Sequence, residues 1–176
     1  MRVILKCTIV SAALLCSVLG PAAWTDAYAQ SATIVAFGAS NTRGKGVSPS
    51  QAWPAHLDAL LRARGVNASV INAGIDGDTS CGMLARMDSA VPPGTRVVIL
   101  QPSGHNDRRK GCSGLQANVA RMKSRLAARM ISVIHMDFIG RLKRRYEQPD
   151  GIHLSAEGHV KAAAMILPQV LAAIRK

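Results

Sequence analysis

The sequence predicts a three-layer α/β/α domain, a parallel sheet of about four strands covered by helices on both faces. Three observations predict it. Four short apolar runs of five to seven residues fit strands buried on both faces. Longer segments with apolar residues at helical spacing alternate with them. Gly and Pro punctuate the junctions. Such alternation implies parallel strands joined by right-handed crossovers, which put every strand's C-terminal end on one edge.

The elements follow in order. Thr33 to Phe37 (TIVAF) is the first strand, ended by Gly38. Gln51 to Arg64 reads as a helix, with Trp53, Leu57, Leu60 and Leu61 on one face and Pro54 in its first turn. Ala68 to Asn72 is the second strand, and Cys81 to Val91 a short helix closed by Pro92-Pro93-Gly94. Thr95 to Gln101 (TRVVILQ) is the third strand, followed by a polar loop from Pro102 to Gly114. Leu115 to Arg129 is amphipathic, with Val119, Met122 and Leu126 inward. Met130 to Met136 is the fourth strand, and Phe138 to Arg145 one or two helical turns. Ala156 to Lys176 is the last helix, with Pro168 a point of kinking and His159 on its outer face.

The chain has 176 residues, enough for one domain, and its 48% apolar share excludes a disordered chain. Arg2 and Lys6, the uncharged run from Cys7 to Gly20, and Ala27-Tyr28-Ala29 read as a secretory signal peptide, residues 1–29, cleaved before Gln30. After it no stretch of 18 uncharged apolar residues remains, which excludes a multi-span membrane protein. Residues 30–176 form the single expected domain. It keeps 20 Lys and Arg against 9 Asp and Glu, a formal charge of +11. Such a surface attracts anions. The basic runs read first as solvated helix faces, with attraction to an anionic envelope surface the alternative. Aromatics do not interleave with the basic runs, so no nucleic acid partner is expected. A monomer is expected. Cys81 and Cys112 are the cysteines left after cleavage. In an oxidising compartment they are a candidate disulfide, with two separate thiols the alternative. Neither has metal-ligand spacing around it, so no metal is expected.

The loops at the C-terminal strand edge carry the chemistry. They hold Phe37 to Thr42, Asn72 to Thr79, Ser103 to Asp107 and Asp150 to His153. Ser40 follows a buried strand, where Gly38 and Ala39 leave its hydroxyl uncrowded. A serine is a weak nucleophile until a base takes its proton, and histidine suits that task near neutrality. Asp150 lies three residues before His153, a spacing that lets a turn bring carboxylate to imidazole. The Ser40 and Gly77 backbone N–H groups and the Asn106 amide are candidate oxyanion donors. His105, beside Asn106, is a candidate substrate contact. His135 reads as a hydrogen-bonded core residue. A histidine base predicts activity falling with acidification through roughly pH 6–7.

These residues resemble the SGNH hydrolases, the GDSL esterases and lipases. FGASNT is similar to that family's first block, NAGIDGDTS to its second, SGHND to its third and DGIHL to its fifth. AWPAHL and GDTSCGMLARM resemble the periplasmic thioesterase and lysophospholipase branch. The resemblance spans residues 33 to about 160. It implies a flavodoxin-like sandwich and serine ester hydrolysis without a cofactor. It implies Ser40 as nucleophile, Gly77 and Asn106 in the oxyanion hole, and Asp150 with His153 as acid and base. Two departures stand out. Ala39 replaces the aspartate of Gly-Asp-Ser. Only 43 residues separate Asn106 from Asp150, which implies a missing strand–helix unit and an open, shallow acyl site. Short acyl or acetyl esters are then the expected substrates, and a small-molecule, glycan or lipid ester the expected partner. The alternative is a weak or inactive relative that binds acylated or anionic envelope polymers. A phosphate-binding loop at Gly38 to Gly46 is disfavoured. Five residues precede Gly44-Lys45, and Gly46 stands where a hydroxyl is required.

Overall fold

Alternating residues of the central strands build two separate cores, one on each side of the sheet. The computed structural model describes residues 31–175, so the expected signal segment lies outside the described residues. Ala32–Gly38 (β1), Ala68–Gly74 (β2), Thr95–Gln101 (β3) and Ser132–His135 (β4) pair in parallel in the order β2-β1-β3-β4. The period of two sends Ile34 and Ala36 of β1 and Val97 and Ile99 of β3 to one face. There they meet Trp53, Leu57 and Leu61 of Trp53–Arg62 (α2), Leu142 of Ile139–Tyr146 (α6), and Ile166 and Val170 of Ala156–Ile174 (α7). Val35, Phe37, Val98 and Leu100 point the other way. They pack on Met83 and Met87 of Ser80–Ala90 (α3) and on Val119, Met122 and Leu126 of Leu115–Ala128 (α5). Each large apolar side chain so buried contributes roughly 1.5–3 kcal/mol. The three-layer architecture expected from the sequence is the one observed. No helix among the described residues is long and apolar enough to cross a membrane.

Several elements differ from expectation, for local reasons. α2 begins at Trp53, because Pro49–Gln51 forms a separate 3₁₀ turn closed by a capping box between Ser48 and Gln51. β2 is an edge strand and therefore only half-buried, exposing Ile71. β4 is shorter than the apolar run, since Met130 takes a positive φ of 57° in the turn before it. The polar loop after β3 contains a helix, Gly104–Lys110 (α4). Ser103 caps it by accepting the Asn106 N–H, Arg108, Arg109 and Lys110 fill its last turn, and left-handed Gly111 ends it. α7 runs on through Pro168, which lies on its exposed side.

His159 is buried and not on the outer face of α7. It falls on the same stripe as Ala162, Ala163, Ile166 and Val170. Its Nδ1 accepts the Trp53 backbone N–H at 3.2 Å, tying α7 to the start of α2. Burial, followed by the nearby His56 and His153, lowers its pKa to about 4. Above the ordinary histidine value near 6.5 both folded and unfolded chains hold it neutral. Below that value the unfolded chain takes up a proton that the folded one refuses. Stability from this residue is therefore present above about pH 6.5 and lost as pH falls toward 4, by about 3 kcal/mol. Urea unfolding between pH 7 and 4 should show a flatter profile for His159→Phe than for the parent. Parallel profiles would refute the assignment.

Candidate active site

β1 and β3 are neighbours at the middle of the sheet, and the chain leaves them in opposite directions, toward β2 and toward β4. Their C-terminal ends therefore diverge and open a crevice, the usual ligand position in such sheets. Ser40 lies there as the first residue of a single helical turn, Ser40–Arg43 (α1). The turn can follow the strand this closely because residue 38 is glycine. A Cβ there would collide with Thr42 Oγ1 and lie 2.7 Å from the Gln101 carbonyl oxygen.

The loop after α6 returns to the same crevice. It is closed by the antiparallel bridge between Glu147 and Leu154 and turns at Gly151, with φ of 66°. Asp150 Oδ1 accepts the backbone N–H groups of Ile152 at 2.9 Å and His153 at 3.0 Å. Its Oδ2 lies 2.6 Å from His153 Nδ1, and His153 Nε2 lies 2.9 Å from Ser40 Oγ. The bond to the His153 ring, followed by the two backbone bonds, holds the Asp150 carboxyl well below the usual carboxylate range. An ionised Asp150 accepts from Nδ1–H, which leaves Nε2 as the acceptor for the Ser40 hydroxyl. Ser40 and His153 are both buried, and Asp150 is half-exposed.

Asn41 joins these two segments and was not singled out by the sequence. Its Nδ2 donates to the Ile152 carbonyl at 3.2 Å, and its Oδ1 accepts the Leu154 N–H at 2.8 Å. The amide thus grips the backbone on both sides of His153 from the residue next to Ser40. Ala39, by contrast, is buried and offers no side-chain cap to α1.

The oxyanion candidates are held by a second network. Gly77 takes a φ of 70°, which favours glycine. Among the described residues neither its N–H nor that of Ser40 has an acceptor. Next to it, Asp78 pairs with Arg86 at 2.7 Å, and Arg86 donates to the Gly38 carbonyl at 3.1 Å while stacking over Phe37. Asn106 Nδ2 donates to the Asp78 carbonyl at 2.8 Å, which uses one of its two hydrogens. Buried Asp107 accepts the Ser80 N–H at 2.7 Å and its O–H at 2.5 Å. These bonds bring the second and third loops together. Ser80 and Asp107 were missed because they meet across 27 residues, and Arg86 because the Gly38 carbonyl it reaches is 48 residues away; Asp78, eight residues before Arg86, carries no local signal of that pairing.

Ser40, His105 and Asn106 line a cleft of about 340 Å³, together with Leu115, Val119 and Ile139. Gly77 does not line it. His135 does, half-buried, where a hydrogen-bonded core position was expected. The strand's last residue reaches the loop edge, so its side chain emerges beside the crevice and not within either core. Burial, then Lys123, lowers its pKa, against an opposing effect of Asp137.

Cys81 and Cys112 are disulfide-bonded, across a separation of 31 residues. The bond joins the first turn of α3 to the segment after α4, and so the Gly77 loop to the Asn106 loop. Loop closure of that length predicts a loss of about 3–4 kcal/mol in Cys81→Ala/Cys112→Ala. Urea midpoints of the variant and the parent check this; equal midpoints would contradict it.

Comparisons with known proteins bear on the family and the fold. The model of the GDSL-like lipase/acylhydrolase family matches residues 36–141, which include Ser40, Gly77 and Asn106. Asp150 and His153 lie beyond that segment and rest on the distances given above. Esterase TesA of Pseudomonas aeruginosa is 33% identical over 104 residues, 58% of this chain and 52% of that protein. The match thus spans about half the length of that curated relative. The crystal structure of TesA superposes with a TM-score of 0.68 at 24% identity, over 80% of this chain and 99% of that chain, a likeness of fold. AlinE4, described as an SGNH-hydrolase family esterase, superposes with a TM-score of 0.56 at 27% identity, over 80% of this chain and 72% of its own. The chain belongs to the GDSL-like lipase/acylhydrolase family.

Proposed function

We propose that the protein is a serine hydrolase of carboxylic esters, acting outside the cytoplasm after loss of residues 1–29. The observation that carries this reading is the unbroken chain Asp150–His153–Ser40, at 2.6 and 2.9 Å. His153 Nε2 takes the Ser40 proton as Oγ attacks the ester carbonyl. The resulting oxyanion is met by the Ser40 and Gly77 N–H groups and the remaining Asn106 Nδ2 hydrogen. His153 then passes its proton to the departing alkoxide, leaving an acyl-serine. Water, deprotonated by the same imidazole, releases the acid. Asp150 stays ionised throughout and stabilises the imidazolium. His105 contacts the substrate. The cleft of about 340 Å³ suits short acyl groups, acetyl included.

The test is hydrolysis of 4-nitrophenyl acetate by residues 30–176, with covalent trapping by a serine-reactive phosphonate. One phosphonate should be retained per chain, and none in Ser40→Ala. Ala39 favours a second reading, a non-catalytic binder of acylated or anionic polymers. No turnover together with no labelling would remove the first reading, and binding of an anionic polymer that survives Ser40→Ala would then support the second.

The pH profile follows from the depressed Asp150 carboxyl. That group stays ionised across the working range and adds no second proton to the acid limb. The acid limb of kcat/KM should fall with the slope of a single proton. A two-proton slope, or a flat profile down to pH 4, would refute a lone histidine base.

A further inference from the structure

The two helices that flank the cleft are basic to an unusual degree. α4 and α6 both line it, through His105 and Asn106 on one side and Ile139, Gly140 and Lys143 on the other. Together they carry Arg108, Arg109, Lys110, Arg141, Lys143, Arg144 and Arg145. Their one acidic residue is Asp107, which is buried and turned onto Ser80. Among the described residues none of these seven cations has an ion-pair partner.

Lys143 differs from the other six, because it is half-buried in the cleft wall. An ammonium that loses water without gaining a counter-charge is unfavourable. The carboxylate that lines the cleft, Asp137, is exposed and makes no ion pair with it. Next along the wall are Leu115, Val119 and Ile139, which suit the uncharged part of a ligand. The cleft therefore offers Ser40 at one place, an apolar wall, and a lone cation at another. Flanking cations also raise the local concentration of anions.

We propose that the ester taken by this cleft bears a negative charge, a carboxylate or a phosphate, which seats against Lys143 while the ester carbonyl lies at Ser40. This rests on the ester-hydrolase reading and goes further by naming the substrate's charge. The carboxylate or phosphate belongs to the substrate itself, on its acyl or its alcohol side.

Three pairs of esters test it at pH 7.5 and low salt. 4-Nitrophenyl pentanoate against mono-4-nitrophenyl glutarate places a carboxylate on the acyl side. Phenyl acetate against 4-acetoxybenzoate places one on the alcohol side. Phenyl acetate against 4-acetoxyphenyl phosphate replaces that carboxylate by phosphate. In at least one pair the anionic ester should be favoured about tenfold in kcat/KM, and the preference should shrink in 0.5 M salt, where screening is within about 4–5 Å. Lys143→Gln should bring the ratio near one, and Lys143→Glu should invert it. Equal or neutral-favouring ratios in all three pairs would overturn the proposal, as would a preference that survives Lys143→Gln. Equilibrium dialysis of the same esters with Ser40→Ala separates this result from catalysis. If no ester is turned over, the hydrolase reading fails. Tighter binding of the anionic member, lost in Ser40→Ala/Lys143→Gln, would still support the anion site, and equal binding would end it.

Discussion

Ser40→Ala, His153→Ala and the double variant should all lose about the same activity, roughly 10³-fold or more in kcat. Ser40 Oγ and His153 Nε2 are joined at 2.9 Å and act on one proton, so removing either leaves the other with nothing to do. Deletions within such a unit are strongly non-additive. The double variant should therefore be no more than about tenfold worse than either single one. The activity left over would come from the oxyanion donors and substrate binding, which neither substitution touches. The measurement is kcat for 4-nitrophenyl acetate at saturating substrate. Losses that multiply in the double variant would show that serine and histidine work separately. An active Ser40→Ala would remove the nucleophile from the mechanism.

Asn41→Ala should lower kcat about 10- to 100-fold with little change in KM, since misplacement of a catalytic group by about 1 Å is costly. Asn41 lines the cleft beside Ser40 but transfers no proton. It positions His153 by holding the Ile152 carbonyl and the Leu154 N–H. Two hydrogen bonds are lost, one buried and one part-buried, which should also cost about 2 kcal/mol of stability. Phosphonate labelling separates the two effects, because its rate depends on serine activation at temperatures where every variant is folded. Labelling should slow in step with kcat. Unchanged labelling with a lowered melting temperature would mean that Asn41 only stabilises the fold. The tie also bears on Ala39. The Ser40 turn lacks a carboxylate at residue 39, yet it is anchored to the histidine loop by its other neighbour.

Some features are readable from sequence because they depend on neighbours along the chain. TIVAF and TRVVILQ hold the unbroken apolar runs IVAF and VVIL, and only strands covered on both faces need that. Ser40, Gly77 and Asn106 follow strand ends, where parallel topology collects side chains on one edge, and Asp150 and His153 return there in the loop after α6. The helix α4 was also readable, since Ser103, the order of charge through Lys110, and Gly111 mark its cap, dipole and end. Polar composition hid it, because a helix of seven residues shows no apolar periodicity. His159 was readable too, as its spacing to Ile166 and Val170 places it on the buried stripe.

The sequence alone determined the class of sheet, the alternation of layers and the family, and it marked the candidate reacting groups. Those depend on residue type and local period. Only the tertiary structure decided that Asn41 grips the His153 loop, that Arg86 and Asp78 brace the Gly77 turn, and that Cys81 and Cys112 are bonded. It alone decided that Lys143 enters the cleft while the other cations of α4 and α6 stay outside its wall. The reason is physical. Hydrogen bonds and ion pairs act over a few ångströms, and which groups come that close is settled by how helices pack on the sheet. No local pattern records which groups, from 8 to 113 positions apart, are brought within that range.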